Sequence, residues 1–189
     1  MSRTVTRLGG RARTIDGATI VWSRADGARG TRWREALERD GRLTRSVLVE
    51  VSAGVISRLE VATKAGLLTL HPSADGSTLH GNVVTPSGIR HLSFPWGADR
   101  DIMLLGSPAI ASTTLSRLAS DVPVGQAIDM EMLVIDDALE PRPMTWRVEH
   151  EDEATWDVRQ EDTGQVRRLT LDPNGYPVLA DAHVWPLEP

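Results

Sequence analysis

Short runs of alternating or β-branched residues, separated by turn-forming residues, dominate the first half of the chain. Such runs predict strands, because side chains on an extended backbone point alternately to opposite faces. Asp26-Gly27 and Asp40-Gly41 favour tight reversals, since glycine adopts positive φ at little cost. The predicted strands cover residues 18–23, 31–38, 44–51, 55–63, 67–71, 78–84 and 89–94, with a hairpin turn at Ser73-Ala74-Asp75-Gly76.

The same pattern returns in the C-terminal third. Trp146, Val148 and His150 alternate with polar residues, which places them on one face of a predicted strand. Asp172-Pro173-Asn174-Gly175 predicts a turn, because proline presets one φ angle and Asn-Gly tolerates the left-handed region. The predicted strands here cover residues 128–135, 144–150, 155–160, 165–171 and 176–185.

The spacing of hydrophobic residues changes from that of a strand to that of a helix once, shortly after residue 106. Ser107 suits the N-cap, and Pro108 suits the first helical position. Ala111, Leu115 and Leu118 then recur at helical spacing. One helix is therefore predicted over about residues 107–119.

Together these elements predict a mainly β fold, a strongly curved antiparallel sheet or incomplete barrel of about ten to eleven strands with one helix. A length of 189 residues, 40% of them hydrophobic, fits one domain. We expect a flexible polar tail over residues 1–14 and a single β domain over residues 15–189. A long sheet that curls must enclose either packed side chains or a ligand.

Charge and composition exclude several classes of function. The formal net charge of −5 is spread over interleaved arginine and acidic residues, without the basic stripe that a nucleic acid requires. The chain lacks cysteine, so it forms neither disulfides nor thiolate metal sites. Its longest nearly uncharged stretch, residues 102–115, is shorter than the roughly 20 residues of a membrane span. With no apolar run typical of a signal peptide either, we expect a cytoplasmic protein with no membrane span and no nucleic-acid partner.

Motifs for catalysis or cofactors are absent from the sequence. There is no Gly-x-Ser-x-Gly, Walker loop or Gly-x-Gly-x-x-Gly, and we expect no cofactor. His71, His80 and His91 follow one another in predicted strands, but their spacing matches no metal motif, so surface or half-buried histidines are the preferred interpretation. We therefore assign no catalytic residue and no metal ligand.

The aromatic content is skewed towards tryptophan. Six tryptophans accompany one phenylalanine and one tyrosine. Indole rings combine a large apolar area with one N–H donor, which suits stacking on sugars or lining an apolar cleft with a wet rim. Flexible methionines, such as Met130 and Met132 on one strand face, also conform to apolar ligands, although core packing explains both residue types too.

Two segments resemble a known family. Residues 101–118, with Asp101 leading into Ser107-Pro108 and then Leu115 and Arg117, resemble the hallmark segment of a bacterial family of glycolipid-binding proteins. The segment from Leu171 to Pro177, with its Asp-x-x-Gly-Tyr-Pro order, is similar to that family's closing motif. The family's proline after Leu115 and its second arginine beside Arg117 are missing here. The resemblance implies a curved antiparallel sheet like that of lipoprotein carriers, with a helix near the mouth of an apolar cleft.

The favoured hypothesis is that the sheet curls around an apolar groove that binds an acyl chain or glycolipid-like ligand, with Arg117 and indole N–H groups meeting a polar head. One alternative is a small-molecule hydrolase or isomerase that uses carboxylates and a histidine such as His150 or His183. Another is a structural or protein-interaction domain with a filled core. The candidate ligand-binding residues are Trp33, Trp96, Arg117, Met130, Met132, Trp146, His150, Trp156 and Trp185.

Overall fold

The computed structural model of the protein contains two β-sheets and one helix. It describes residues 6–14, 17–164, 166–173, 175–180, 183–184 and 187–188. The first sheet contains β1 (Thr6–Arg13), β2 (Thr19–Gly27), β3 (Gly30–Arg39), β4 (Arg42–Ser52), β5 (Val55–Thr63), β6 (Gly66–Pro72), β7 (Thr78–Thr85), β8 (Gly88–Pro95) and β16 (Leu187–Glu188). The second contains β9 (Arg100–Leu104), β10 (Gln126–Ile135), β11 (Arg142–His150), β12 (Thr155–Gln160), β13 (Val166–Leu171), β14 (Pro177–Ala180) and β15 (His183–Val184).

The predicted fold class is confirmed: the protein is mainly β, strongly curved, and carries one helix in its described part. Strands β1 to β8 form an antiparallel meander in sequence order, with β16 added beside β1. The helix, α1 (Pro108–Leu118), begins at the predicted N-cap Ser107, whose hydroxyl accepts a hydrogen bond from the backbone N–H of Ile110. Nowhere in the described ranges is there a helix long and apolar enough to cross a membrane.

One strand pair departs from the antiparallel prediction. Strand β9 pairs with β10 in parallel, with Ile102 opposite Leu133. Because parallel neighbours need a crossover connection, α1 lies between these two strands in the sequence. The helix is therefore the crossover of a β-α-β unit at the edge of the second sheet.

The N-terminal segment also differs from the prediction of a flexible tail over residues 1–14. Residues 6–13 form β1, which pairs along its whole length with β2. The glycines that suggested a tail have a packing role instead: a Cβ atom on Gly10 would lie 2.8 Å from the indole nitrogen of Trp22. The absence of a side chain at Gly10 lets the Trp22 ring lie against the backbone of β1.

Two clusters of buried residues form the core, and each combines residues of both sheets. In the first, Trp22 and Trp33 of the first sheet surround Tyr176, whose ring stacks on that of Trp22 at 4.1 Å. In the second, Ile20 of the first sheet joins Leu115 of the helix and Trp146 of β11. The core therefore lies between the sheets, and the helix contributes to both clusters.

Candidate functional site

A cavity of about 300 Å³ lies between the two sheets, beside the helix. Every major layer contributes to its wall: β3 and β4 of the first sheet, β9, β10, β12 and β13 of the second, α1 and the segment before it. Its lining residues are Thr14, Ala18, Leu37, Arg39, Arg45, Ile102, Met103, Leu104, Leu105, Gly106, Ser107, Ile110, Ala111, Thr114, Leu115, Met132, Asp137, Val158, Arg167 and Leu169.

The deep part of the cavity is apolar. Five lining residues are almost fully buried there: Ile102, Leu104, Ile110, Leu115 and Met132. They come from a parallel strand pair and its crossover helix, where both faces of the strands are covered and hydrophobic residues follow one another closely. Small apolar pockets of this size are typical of sites for small organic ligands.

Arg45 closes one side of the cavity and joins the two sheets. It lies on the inward face of β4, and its guanidinium donates to the carbonyl of Leu105 at 2.8 Å and to that of Gly106 at 2.5 Å. It also donates to the Asp137 carboxylate at 3.1 Å, from the loop that follows β10. A single cation thus fixes the segment before the helix and the loop after β10 against the first sheet.

Behind Arg45, the carboxylate of Glu35 meets the N-terminus of the helix. Its Oε2 accepts hydrogen bonds from the Ser107 hydroxyl and from the Ala109 backbone N–H, both at 3.0 Å. Its Oε1 forms an ion pair with Arg45 at 3.6 Å. Burial raises the pKa of Glu35, while the Arg45 charge and the hydrogen bonds to the carboxylate oppose that rise. Glu35 lies outside the cavity lining and contributes to the structure of the site through Arg45 and Ser107.

Two more guanidiniums line the cavity. Arg39 extends the inward face of β3 beyond Leu37 and is exposed. Arg167 is half-buried on β13, directly opposite the buried Val158 in the strand register. Three arginines therefore line the cavity, whereas the only carboxylate among its described lining residues is Asp137, which is bonded to Arg45.

The structure brings one predicted ligand-binding residue, Met132, to this cavity. Four of the other predicted ligand-binding residues belong to the core clusters: Trp33, Met130, Trp146 and Trp156. Trp96 is partly buried against the first cluster, and Trp185 lies outside the described residues, as does the side chain of His183.

Arg117 and His150 have protein partners. The Arg117 guanidinium donates two hydrogen bonds to Asp101, at 3.1 and 3.0 Å. The His150 ring stacks on Trp156 with centroids 3.9 Å apart, and its Nδ1 lies 2.7 Å from the Val122 carbonyl oxygen. The Asp101–Arg117 pair therefore joins the two ends of the 101–118 segment and lies outside the cavity lining, whereas Ile102, Ile110 and other residues between them line the cavity.

The sequence prediction missed Arg39, Arg45 and Arg167, although a signal for each was present. Arg45 is in phase with Val47 and Val49, and Arg167 is in phase with Leu169. An arginine at an inward position of an alternating strand is unusual, because a buried cation needs a partner. Reading the alternation for charged residues in apolar phase would have identified all three positions, Arg39 being in phase with Leu37.

The predicted histidines do not converge on a metal site within the ranges that the structure describes, and no three histidine or acidic side chains there could hold an ion. His71 and His80 face each other across β6 and β7 with ring centroids 6.2 Å apart. His91 Nδ1 lies 2.6 Å from the Asn82 side-chain oxygen.

The fold and the cavity define a two-sheet β protein in which curved sheets and a crossover helix enclose an apolar space. Among solved structures, the chain is similar to a DUF1089 family protein from Pseudomonas aeruginosa, with a TM-score of 0.54 and 20% sequence identity, over 95% of this chain and 90% of that chain. A likeness at this identity shows the shared fold alone. The sequence matches no protein-family model and no curated protein.

Proposed function

We propose that the protein binds a small ligand with an apolar body, such as the acyl chain of a lipid or glycolipid, in the cavity between its sheets. The observation that carries this proposal is the open volume of about 300 Å³ bordered by apolar side chains. Burial of a chain contributes about 0.8 kcal/mol per methylene, so apolar contact alone gives useful affinity. The resemblance of residues 101–118 to glycolipid-binding proteins agrees with this choice of ligand.

The composition of the lining favours binding over catalysis. Its described residues include no histidine and one carboxylate, Asp137, whereas general acid–base chemistry on a bound substrate commonly uses two titratable groups. Asp137 is exposed and ion-paired with Arg45. The open volume likewise favours binding over an interior filled by its own side chains.

The test is binding of 1-decanol and decyl glucoside, measured by isothermal titration calorimetry, together with native mass spectrometry of the purified protein. Wild type is expected to bind both probes, with a stoichiometry of one. Ala111→Phe places a ring into the cavity from α1 and should abolish binding. Val124→Phe is the matched control, because Val124 is 52% exposed and lies outside the lining. Absence of binding by wild type, or equal binding by the Ala111→Phe variant, would contradict the proposal.

A further inference from the structure

Arg167 is a cation at a position where the second sheet otherwise presents apolar side chains to the interior. It faces Val158 across β12 and β13, and Val158 in turn faces Val148 on β11. Leu169, two residues further along the same strand face, is buried. Arg167 is therefore directed to the space between the sheets rather than to bulk solvent.

Within the part of the chain that the structure describes, Arg167 has no ion pair and no side-chain hydrogen bond. Its neighbour Arg168, on the outer face of the same strand, donates two hydrogen bonds of 2.7 Å to Asp157. Burial lowers the pKa of Arg167, and no carboxylate among the described residues opposes this effect. The guanidinium remains charged, since arginine is not deprotonated in proteins.

Because no described carboxylate pairs with Arg167, an anionic group on a ligand would supply the counter-charge of this half-buried cation. Guanidinium presents two parallel N–H donors to a carboxylate, an arrangement that is strong and directional. The lining therefore combines an apolar interior with the Arg167 guanidinium at its wall.

The volume limits the length of the apolar part. A cavity of 150 Å³ holds a benzene molecule, so one of about 300 Å³ has room for about a dozen carbon atoms. A single acyl chain of medium length fits this estimate.

We infer that the ligand of this cavity is a fatty-acid anion with a single chain. Its chain would lie between the sheets, and its carboxylate would be bound by the Arg167 guanidinium. This inference rests on the proposed function and adds the chemical identity of the head group. A free fatty acid and a single-chain alkyl phosphate both combine one hydrocarbon chain with an anionic oxygen head group. The experiment separates them.

The experiment measures binding of three probes of equal chain length, decanoate, decyl phosphate and 1-decanol, by isothermal titration calorimetry at pH 7.5. Wild type should bind decanoate about ten- to a hundredfold more tightly than 1-decanol, which is the range for a hydrogen bond to a charged group. Arg167→Gln should remove this preference and leave 1-decanol binding unchanged. Arg168→Gln is the matched control and should bind all three probes as wild type does.

Each outcome decides the inference. Binding of 1-decanol without a preference for decanoate would overturn it and leave the proposed function intact, whereas no binding of any probe would overturn both. Tighter binding of decyl phosphate than of decanoate would overturn the carboxylate assignment. An equal loss of all three probes in the Arg167→Gln variant would indicate a structural role and overturn the assignment of Arg167.

A second measurement remains informative if the Arg167→Gln variant is unstable. The Arg167→Leu variant places an apolar side chain at the inward position beside Leu169. Without ligand, this variant should unfold at a higher urea concentration than wild type, because an unpaired half-buried cation is lost. A lower urea midpoint would mean that Arg167 has a stabilising protein partner, which would overturn the inference. Higher salt should weaken the binding of decanoate by wild type and leave that of 1-decanol unchanged.

Discussion

At the scale of single residues, Arg45 and Arg167 show two different outcomes for an arginine on an inward strand face. Arg45 is almost completely buried and has ion pairs or hydrogen bonds with Glu35, Asp137 and two carbonyl groups. Arg167 is half-buried and has no such partner among the described residues. The first arrangement is typical of a structural cation, and the second is the reason why we propose Arg167 as a ligand-binding residue.

Replacement of Arg45 tests the structural assignment. Arg45→Met should lower the free energy of unfolding by about 3–5 kcal/mol, because it leaves the Glu35 carboxylate buried without its cation. The measurement is urea denaturation followed by tryptophan fluorescence. Arg32→Met is the control, since Arg32 pairs with Glu50 on the exposed surface and its loss should cost less than about 1 kcal/mol. Similar losses in the two variants would show that Arg45 does not join the sheets.

At the scale of elements, the β6–β7 hairpin shows a turn specified by its own residues. The Asp75 carboxylate accepts hydrogen bonds from the Ser73 hydroxyl at 2.5 Å and from the Ser77 backbone N–H at 3.1 Å. These donors lower the pKa of Asp75 from its ordinary value of 3.8 to about 2. Gly76 completes the turn with a φ of 70°, in the left-handed region.

The Asp75 titration gives a pH prediction. Because the pKa is depressed in the folded state, the contribution of Asp75 to stability is present above pH 3.8 and is lost as the pH falls towards 2. A carboxyl titration by NMR should give a pKa of about 2 for Asp75 in wild type. Ser73→Ala should raise that pKa towards 3.8, whereas Thr85→Ala, which removes a hydroxyl from the next turn, should leave it unchanged. An unchanged pKa in the Ser73→Ala variant would contradict the assignment.

Elements governed by local chemistry were predictable from the sequence, and those governed by distant contacts were not. The hairpin at Asp75 and the N-cap at Ser107 depend on residues a few positions apart, and both predictions are confirmed. Strand β1 depends on Trp22 lying over Gly10, and the parallel pairing of β9 depends on a partner strand beyond the helix. No local pattern contains that information.

At the scale of the whole molecule, the difference between local and distant contacts explains which residues of the site were predictable from the sequence. The alternation of β11 correctly placed Trp146, Val148 and His150 on one buried face. Whether a buried residue contacts a neighbour or borders open space depends on how the two sheets pack against each other. Most of the tryptophans predicted to bind a ligand are instead packed in the core. Arg45 and Arg167, which line the cavity, do lie in phase with buried apolar residues of their strands, but Arg90 and Arg100 have the same phase and lie outside the lining.

Ligand binding should alter the unfolding of the whole chain. Since β3, β4, β9, β13 and α1 all border the cavity, a ligand in it would bind the folded protein and not the unfolded chain. Decanoate at a hundred times its dissociation constant should then raise the free energy of unfolding by about 2.7 kcal/mol. Differential scanning fluorimetry should show a melting temperature that rises with decanoate in wild type and much less in the Ala111→Phe variant. A melting temperature independent of decanoate would show that the cavity does not bind it.

A site shared between two sheets also has a consequence for the lifetime of the protein. Proteases attack the transiently opened chain, and a bound ligand reduces the population of that state by mass action. Degradation would then slow when the ligand is abundant and accelerate when it is scarce. The cellular abundance of the protein would then follow the supply of such a ligand.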